Sequence, residues 1–247
     1  MMTVSFTRPS GRFRVASACV AVACLLAGAG RAQKVDKGKL DAAARRAGKA
    51  AKVLADVAAL PADESIPKEL IERARAVAVF PDADKVNLLV QKFWKGYGVM
   101  ARRVPGGWGT PAFYGFAVSD RGWTRVKSEE PGMIMLIMND DALKKFEKDN
   151  VRLEAEAGPI GELTPALERR ISGAGILIYS LSGGKLRGVG VVDDDTSETG
   201  INSDNNVNKA VYGLKARDVL WGKTPEGLVL LPAVAEFQSA LAGLSKQ

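Results

Sequence analysis

Two short apolar runs, Ile176–Ser180 and Leu186–Val192, stand on either side of Ser182-Gly183-Gly184-Lys185. The runs are rich in residues that suit a pleated surface, and the paired glycines supply the positive φ angles that a two-residue hairpin loop requires. A chain that closes an antiparallel hairpin here commits this region to β-structure. Gly188 and Gly190 fall two residues apart, so one face of the second strand lacks side chains. A bulge, a sharp bend or a close second backbone is expected against that face. An acidic and amide-rich segment follows, and then Asn208-Lys-Ala-Val-Tyr212-Gly213.

The flanking sequence changes period twice. Leu40, Ala44, Ala47, Ala51, Leu54 and Ala58 recur at helical spacing and predict an amphipathic helix over 40–60, with Arg45, Arg46, Lys49 and Lys52 on the other side. Its apolar stripe is mostly alanine, which suits close packing on a neighbouring element more than deep insertion into lipid. Pro61 ends this helix, and Pro67 opens a second over 68–76, since proline fits a first helical turn. From Val77 the pattern is that of short strands: 77–80, 86–90, 97–103, 112–118 and 123–127. The wholly apolar 133–138 belongs at the centre of a sheet. Asp140 is placed to cap a short helix over 141–148. Residues 201–207 read as loop and 209–221 as partly helical. Residues 232–244 read as a last helix with Val234, Phe237, Leu241 and Leu244 on one side. The order predicts an α+β fold: N-terminal amphipathic helices, a curved, mainly antiparallel, barrel-like sheet, and a C-terminal helix.

Composition narrows the chemistry. The 247 residues include no histidine, which removes Ser-His-Asp and Cys-His nucleophilic sites and the commonest metal ligand and general base. The two cysteines, Cys19 and Cys24, lie in a segment where Arg8, Arg12 and Arg14 precede the apolar run Val15–Leu26 and small residues up to Ala32. Residues 1–32 therefore read as a secretory signal peptide, with an apolar run too short to span a bilayer. Ala21-Val22-Ala23-Cys24 is a poor lipoprotein box. Cleavage after Ala32 leaves no cysteine, hence no disulfide and no thiolate metal site. It also lowers Lys plus Arg from 35 to 31 against 28 acids, so the net charge falls from +7 to +3. A charge of +3 is no footprint for nucleic acid. The expectation is an exported protein, periplasmic or envelope-associated, with a linker and amphipathic helix over 33–65 and a folded domain over 66–245. No cofactor and no metal are expected.

Three constellations remain. Asp193-Asp194-Asp195, Glu198, Asn202, Asp204, Asn205 and Asn206 offer hard oxygen ligands. Their spacing is not that of an EF-hand loop, and a solvated turn is the plainer reading. Gly96, Gly98, Gly106, Gly107 and Gly109 form no phosphate-cradling motif and suit turns and bends in a curved sheet. Lys92, Phe93, Trp94, Lys95, Tyr97, Arg102, Arg103 and Trp108 mix cations with aromatics. That pattern fits an anionic membrane interface, and equally core aromatics beneath a solvated charged face.

Several of these pieces resemble, in order, the SYLF-domain family. The similar segments are Ile66-Pro67 and Ala74-x-Ala76-Val77-Ala78-Val79-Phe80-Pro81, then Gly96-Tyr97-Gly98-Val99 with Arg102. Gly107-Trp108-x-x-Pro111-Ala112-Phe113, Ala157-Gly158-Pro159-Ile160-Gly161 and the region from Tyr179-Ser180 to Gly213 follow. The resemblance covers about Ile66 to Leu231. The chain departs from the family pattern at Lys92, Phe93, Gly109, Thr124, Arg125, Val126 and Leu186. The resemblance implies a non-enzymatic module that binds phospholipid, in eukaryotic relatives through an N-terminal amphipathic basic segment, here Leu40–Leu60. It does not imply actin binding for an exported protein. The lipid-binding residues expected on this reading are Arg45, Arg46, Lys49 and Lys52, with Lys92 and Lys95. Two alternatives stand beside it: a Ca²⁺-binding or enzymatic module built on the carboxylate loop, and an envelope scaffold that binds another protein.

Overall fold

A computed structural model describes residues 36–87, 92–119, 132–159, 175–192 and 199–245. The chain opens with a long helix, α1 (Lys37–Ala58), capped by the Asp36 carboxylate, which accepts from Lys39 N–H. A short helix, α2 (Lys68–Arg73), leads into β1 (Ala76–Phe80) and β2 (Asp84–Asn87). The strands β3 (Lys92–Val104), β4 (Gly107–Trp108), β5 (Ala112–Ser119) and β6 (Gly132–Ile137) follow. Helix α3 (Asp140–Lys144) runs into a 3₁₀ turn at Lys145–Glu147. Strands β7 (Asn150–Pro159), β8 (Ile176–Ser182), β9 (Lys185–Val192) and β10 (Thr199–Ser203) complete the sheet. Helices α4 (Asn205–Tyr212), α5 (Ala216–Leu220) and α6 (Pro232–Leu244) end the described chain.

All the described pairings are antiparallel. Neighbours run β1-β6-β8-β9-β7-β10-β5-β3-β2, β4 pairs with β3, and β1 also pairs with β3. That last pairing returns the path to its start, which makes the curved sheet barrel-like, as the sequence predicts. β3 is the strand on which this depends. Its first part pairs with β2 (Phe93 opposite Val86), and its second part pairs with β1 (Val99 opposite Val79). β5 lies along its other edge. At the changeover the backbones nearly touch. A Cβ on Gly98 would lie 2.0 Å from Val79 O, and one on Gly96 would lie 2.4 Å from Asp82 O. Only glycine fits such approaches.

The hairpin read from the sequence is β8–β9. Ser182 pairs with Lys185 across a two-residue loop whose Gly183 and Gly184 have φ of 56° and 72°. Gly188 faces Tyr179 and Gly190 faces Leu177, so the bare face lies opposite large side chains of β8. The apolar 133–138 segment is central, as expected: β6 is fully buried between β1 and β8.

Other expectations need correction. The N-cap of α3 is Asn139, whose Oδ1 accepts from Ala142 N–H, and Asp140 is already the first helical residue. Residues 201–207 are not loop. They hold part of β10, which fills the gap between β5 and β7, and the start of α4. A strand as polar as Thr-Gly-Ile-Asn-Ser gives no apolar run. Its place is set by partners on both edges, with Ile201 buried in the core. The expected strand at 123–127, the last part of that at 86–90, the Asp193–Glu198 stretch and the leader lie outside the described residues.

Candidate functional site

Helix α1 buries Ala43, Ala47, Ala50, Ala51, Leu54 and Val57, and it packs on α6, α4, β3 and β1. Alanine lets these neighbours come close: a Cβ on Gly48 would stand 3.9 Å from that of Ala233 in α6. The alanine stripe is thus a packing face, as its composition implies. The opposite face carries Arg45, Lys49 and Lys52, all exposed.

The four cations expected on this helix have different surroundings. Arg45 is exposed and has no ion-pair partner among the described residues. Lys49 Nζ meets Asp82 Oδ2 at 2.7 Å, and Lys52 Nζ meets Asp56 Oδ2 at 2.8 Å; these side chains are about half exposed or more. Such pairs contribute roughly 0–1 kcal/mol, so solvent or another anion exchanges with them readily. Arg46 differs. It lies on the edge of the helix, its Nη1 is 2.6 Å from Asp204 Oδ2, and both side chains are less than one-fifth exposed. Its guanidinium also sits over the Tyr97 ring, 4.2 Å from the centroid. Arg46 therefore joins α1 to β3 and to the start of α4.

On β3, Lys95 is half-buried and opposite Asp84 of β2. Lys92 opens the strand in register with Asn87. Trp94 and Trp108 are buried, so the tryptophans are core and not an exposed belt. Tyr97 is the one aromatic of that cluster shown exposed, at 44%.

The acidic and amide-rich segment has structural partners where it is described. Asp204 caps α4 through Val207 N–H besides holding Arg46. Asn202 Oδ1 accepts from Asn150 Nδ2. Asn205 donates to Asp149 and accepts from Ala216 N–H. These oxygens already serve protein donors.

The Asn-x-x-x-Tyr-Gly run is the fastener of the C-terminal half. Asn208, fully buried, accepts from Phe113 N–H at 2.9 Å and donates to Phe113 O and Asp204 O. One turn later Tyr212 donates to Pro111 O at 2.6 Å and stacks on Phe113. The i, i+4 spacing puts both side chains on the α4 face that meets the first residues of β5. Gly213, with φ of 72°, ends the helix in the left-handed conformation.

A second basic cluster escapes the residue-by-residue reading. At the end of β3, an open cleft of about 440 Å³ is lined by Arg75, Arg102, Arg103, Asp140 and Leu143, among others. Arg75 precedes β1, where its N–H donates to Ile137 O and its carbonyl accepts from Arg103 N–H. Three arginines, two at the end of β3 and one just before β1, thus line one corner. The double arginine in β3 was a visible signal; the approach of Arg75 was not.

Residues 129–243 match the Ysc84 family, described as Las17-binding protein actin regulator. No curated protein matches the chain.

Proposed function

We propose that this chain, whose residues 129–243 match the Ysc84 (SYLF-domain) family, is an exported, non-enzymatic module that binds anionic phospholipid surfaces. The observation that carries this reading is the outer face of α1. There Arg45, Lys49 and Lys52 stand exposed on a helix whose other face is fixed to the domain. Near an anionic surface each such cation contributes about 1 kcal/mol. Three give roughly 3 kcal/mol, weak reversible binding in the millimolar range. Arg46 positions the helix, and Lys92 and Lys95 of β3 are further candidate contacts on this reading. Among the described residues no helix is long and apolar enough to cross a membrane.

Co-sedimentation with vesicles tests the reading. Vesicles of phosphatidylglycerol in phosphatidylcholine are expected to retain the protein at low salt and release it at high salt. Arg45→Glu with Lys52→Glu abolishes retention. Equal binding to neutral vesicles, or none to either kind, refutes it. The family description, which names a protein ligand for its members, favours a second reading: the same face docks a protein. Crosslinking from Arg45→Cys that recovers one defined protein, without vesicle binding, would establish that instead.

A further inference from the structure

We propose that the cleft formed by Arg75, Arg102 and Arg103 is a binding site for a compact dianion, a phosphate monoester group or inorganic phosphate. It lies at the end of β3, is separate from the α1 face, and does not rest on the reading of that face. The lining of one cleft of about 440 Å³ sets three arginines against one carboxylate, Asp140, an excess of two positive charges; Glu72, near enough to act on Arg103, is paired with Lys68 at 3.9 Å. A phosphate monoester carries close to two negative charges at neutral pH.

The three arginines are held differently. Arg103 is anchored, donating from Nε to Ala74 O at 2.9 Å and from Nη2 to Ile71 O at 2.6 Å, with its plane over Trp108. These bonds use one side of its fork and fix its charge in place. Burial lowers its proton affinity, Glu72 opposes this, and the charge of Arg75 lowers it further. Arg75 and Arg103 are therefore near enough to repel. Arg102 leaves β3 on the opposite side from Arg103, and both residues line the cleft at the end of the strand, beside Val104 and Pro105. Its Nε is buried with no hydrogen-bond partner, and its guanidinium lies 5.7 Å from the Trp221 ring centroid. Arg75 is half exposed, its Nε 3.3 Å from Asp140 Oδ1, a loose contact that an incoming anion replaces. An anchored charge on Arg103 and a movable arm on Arg75, with Arg102 beside them in the lining, suit a planar-fork grip on phosphate oxygens. A bound dianion also relieves the repulsion between Arg75 and Arg103.

Titration calorimetry of the full chain with sodium phosphate, at ionic strength matched with chloride, tests the site. One phosphate is expected to bind. Arg75→Gln weakens it about tenfold, the loss of one charge-assisted contact, while Asp140→Asn strengthens it. Both positions are exposed, so both variants fold, and circular dichroism verifies this. No phosphate heat beyond the chloride control, or equal affinity in all three proteins, overturns the proposal. The source of the phosphate is read from vesicles of phosphatidic acid, a monoester, against phosphatidylglycerol, a diester. A preference for phosphatidic acid that Arg75→Gln abolishes assigns the site to a lipid headgroup. Calorimetric binding without that preference assigns it to a soluble phosphate. Loss of vesicle binding through Arg45 and Lys52 with phosphate binding intact would separate the two sites.

Discussion

Replacing Asn208 by alanine is the sharpest test of how the domain is fastened. Its side chain makes three hydrogen bonds while fully buried. Two of the partners keep others when it is lost: Phe113 O still accepts from Asp204 N–H at 3.0 Å, and Asp204 O from Val207 and Asn208 N–H. Phe113 N–H does not, and it becomes a buried unpaired donor. That orphan costs about 1–3 kcal/mol, and the two weakened acceptors and the small void add to it. Alanine returns about 0.5 kcal/mol through its better helix propensity. The net expectation for Asn208→Ala is a loss of about 2–4 kcal/mol, from a total that for such domains is about 5–15 kcal/mol. In a urea melt the midpoint falls with the slope unchanged. In a thermal melt the midpoint drops by roughly 5–15 °C. Asn208→Asp supplies a pH signature. The new carboxylate accepts from Phe113 N–H, but its other oxygen faces two carbonyl oxygens in place of a donor. Burial and those oxygens raise its pKa above the unfolded value of about 3.9. The variant is therefore most stable, relative to wild type, in acid, and it loses that stability as pH rises through the folded pKa. A loss below about 0.5 kcal/mol for Asn208→Ala, or a pH-independent deficit for Asn208→Asp, would refute the argument.

Three further outcomes follow from the packing. Gly98→Ala drives a methyl into Val79 O, where backbone must move, and is expected to cost at least about 3 kcal/mol or to prevent soluble expression; a melt within 1 kcal/mol of wild type would contradict the corner in β3. A double-mutant cycle on Arg46 and Asp204 is expected to give a coupling of about 1 kcal/mol or more, above that of the exposed Lys52–Asp56 pair, and equal couplings would sink the distinction between them. Burial pushes the phenols of Tyr114, Tyr179 and Tyr212 well above their ordinary pKa. Their contribution is complete below the unfolded value of about 10 and lost as pH rises above it, so phenolate absorbance should appear together with unfolding. A reversible titration of all the tyrosines in the folded state would count against this.

How legible this fold was in its sequence varies with the range of the interaction that fixes each element. The β8–β9 hairpin is local: two glycines with positive φ and two apolar runs decide it. Helix α6 is likewise local, since Pro232 begins it and Val234, Phe237, Leu241 and Leu244 fall on one face, all buried. β10 carries no such message, because its pairing with β5 and β7 substitutes for hydrophobic content. β7 did carry one. Val151 and Leu153 are buried with Arg152 exposed between them, a period-two pattern too short to stand out beside the charged residues that follow. The glycines of β3 were legible as bends, but the sequence could not say that β1 and β2 share one of its edges.

The basic residues of α1 show why site residues are harder to read than elements. By type and spacing, Arg45, Arg46, Lys49 and Lys52 form one group on the polar side of a helical wheel. The fold divides them by a rotation of one residue. Arg46 lies at the border with the sheet and meets Asp204, 158 positions away in sequence, whose carboxylate also caps α4. Its charge is thereby spent inside the domain. Arg45 and Lys52 lie on the open side, where a partner is either absent among the described residues or exchangeable. Periodicity gives the angle of a side chain about its own helix, but not which acids elsewhere in the chain will reach it. The same limit hid the arginine cleft: Arg102 and Arg103 point apart along any strand. Only the end of β3, and the arrival of Arg75 just before β1, make these residues the lining of one cleft.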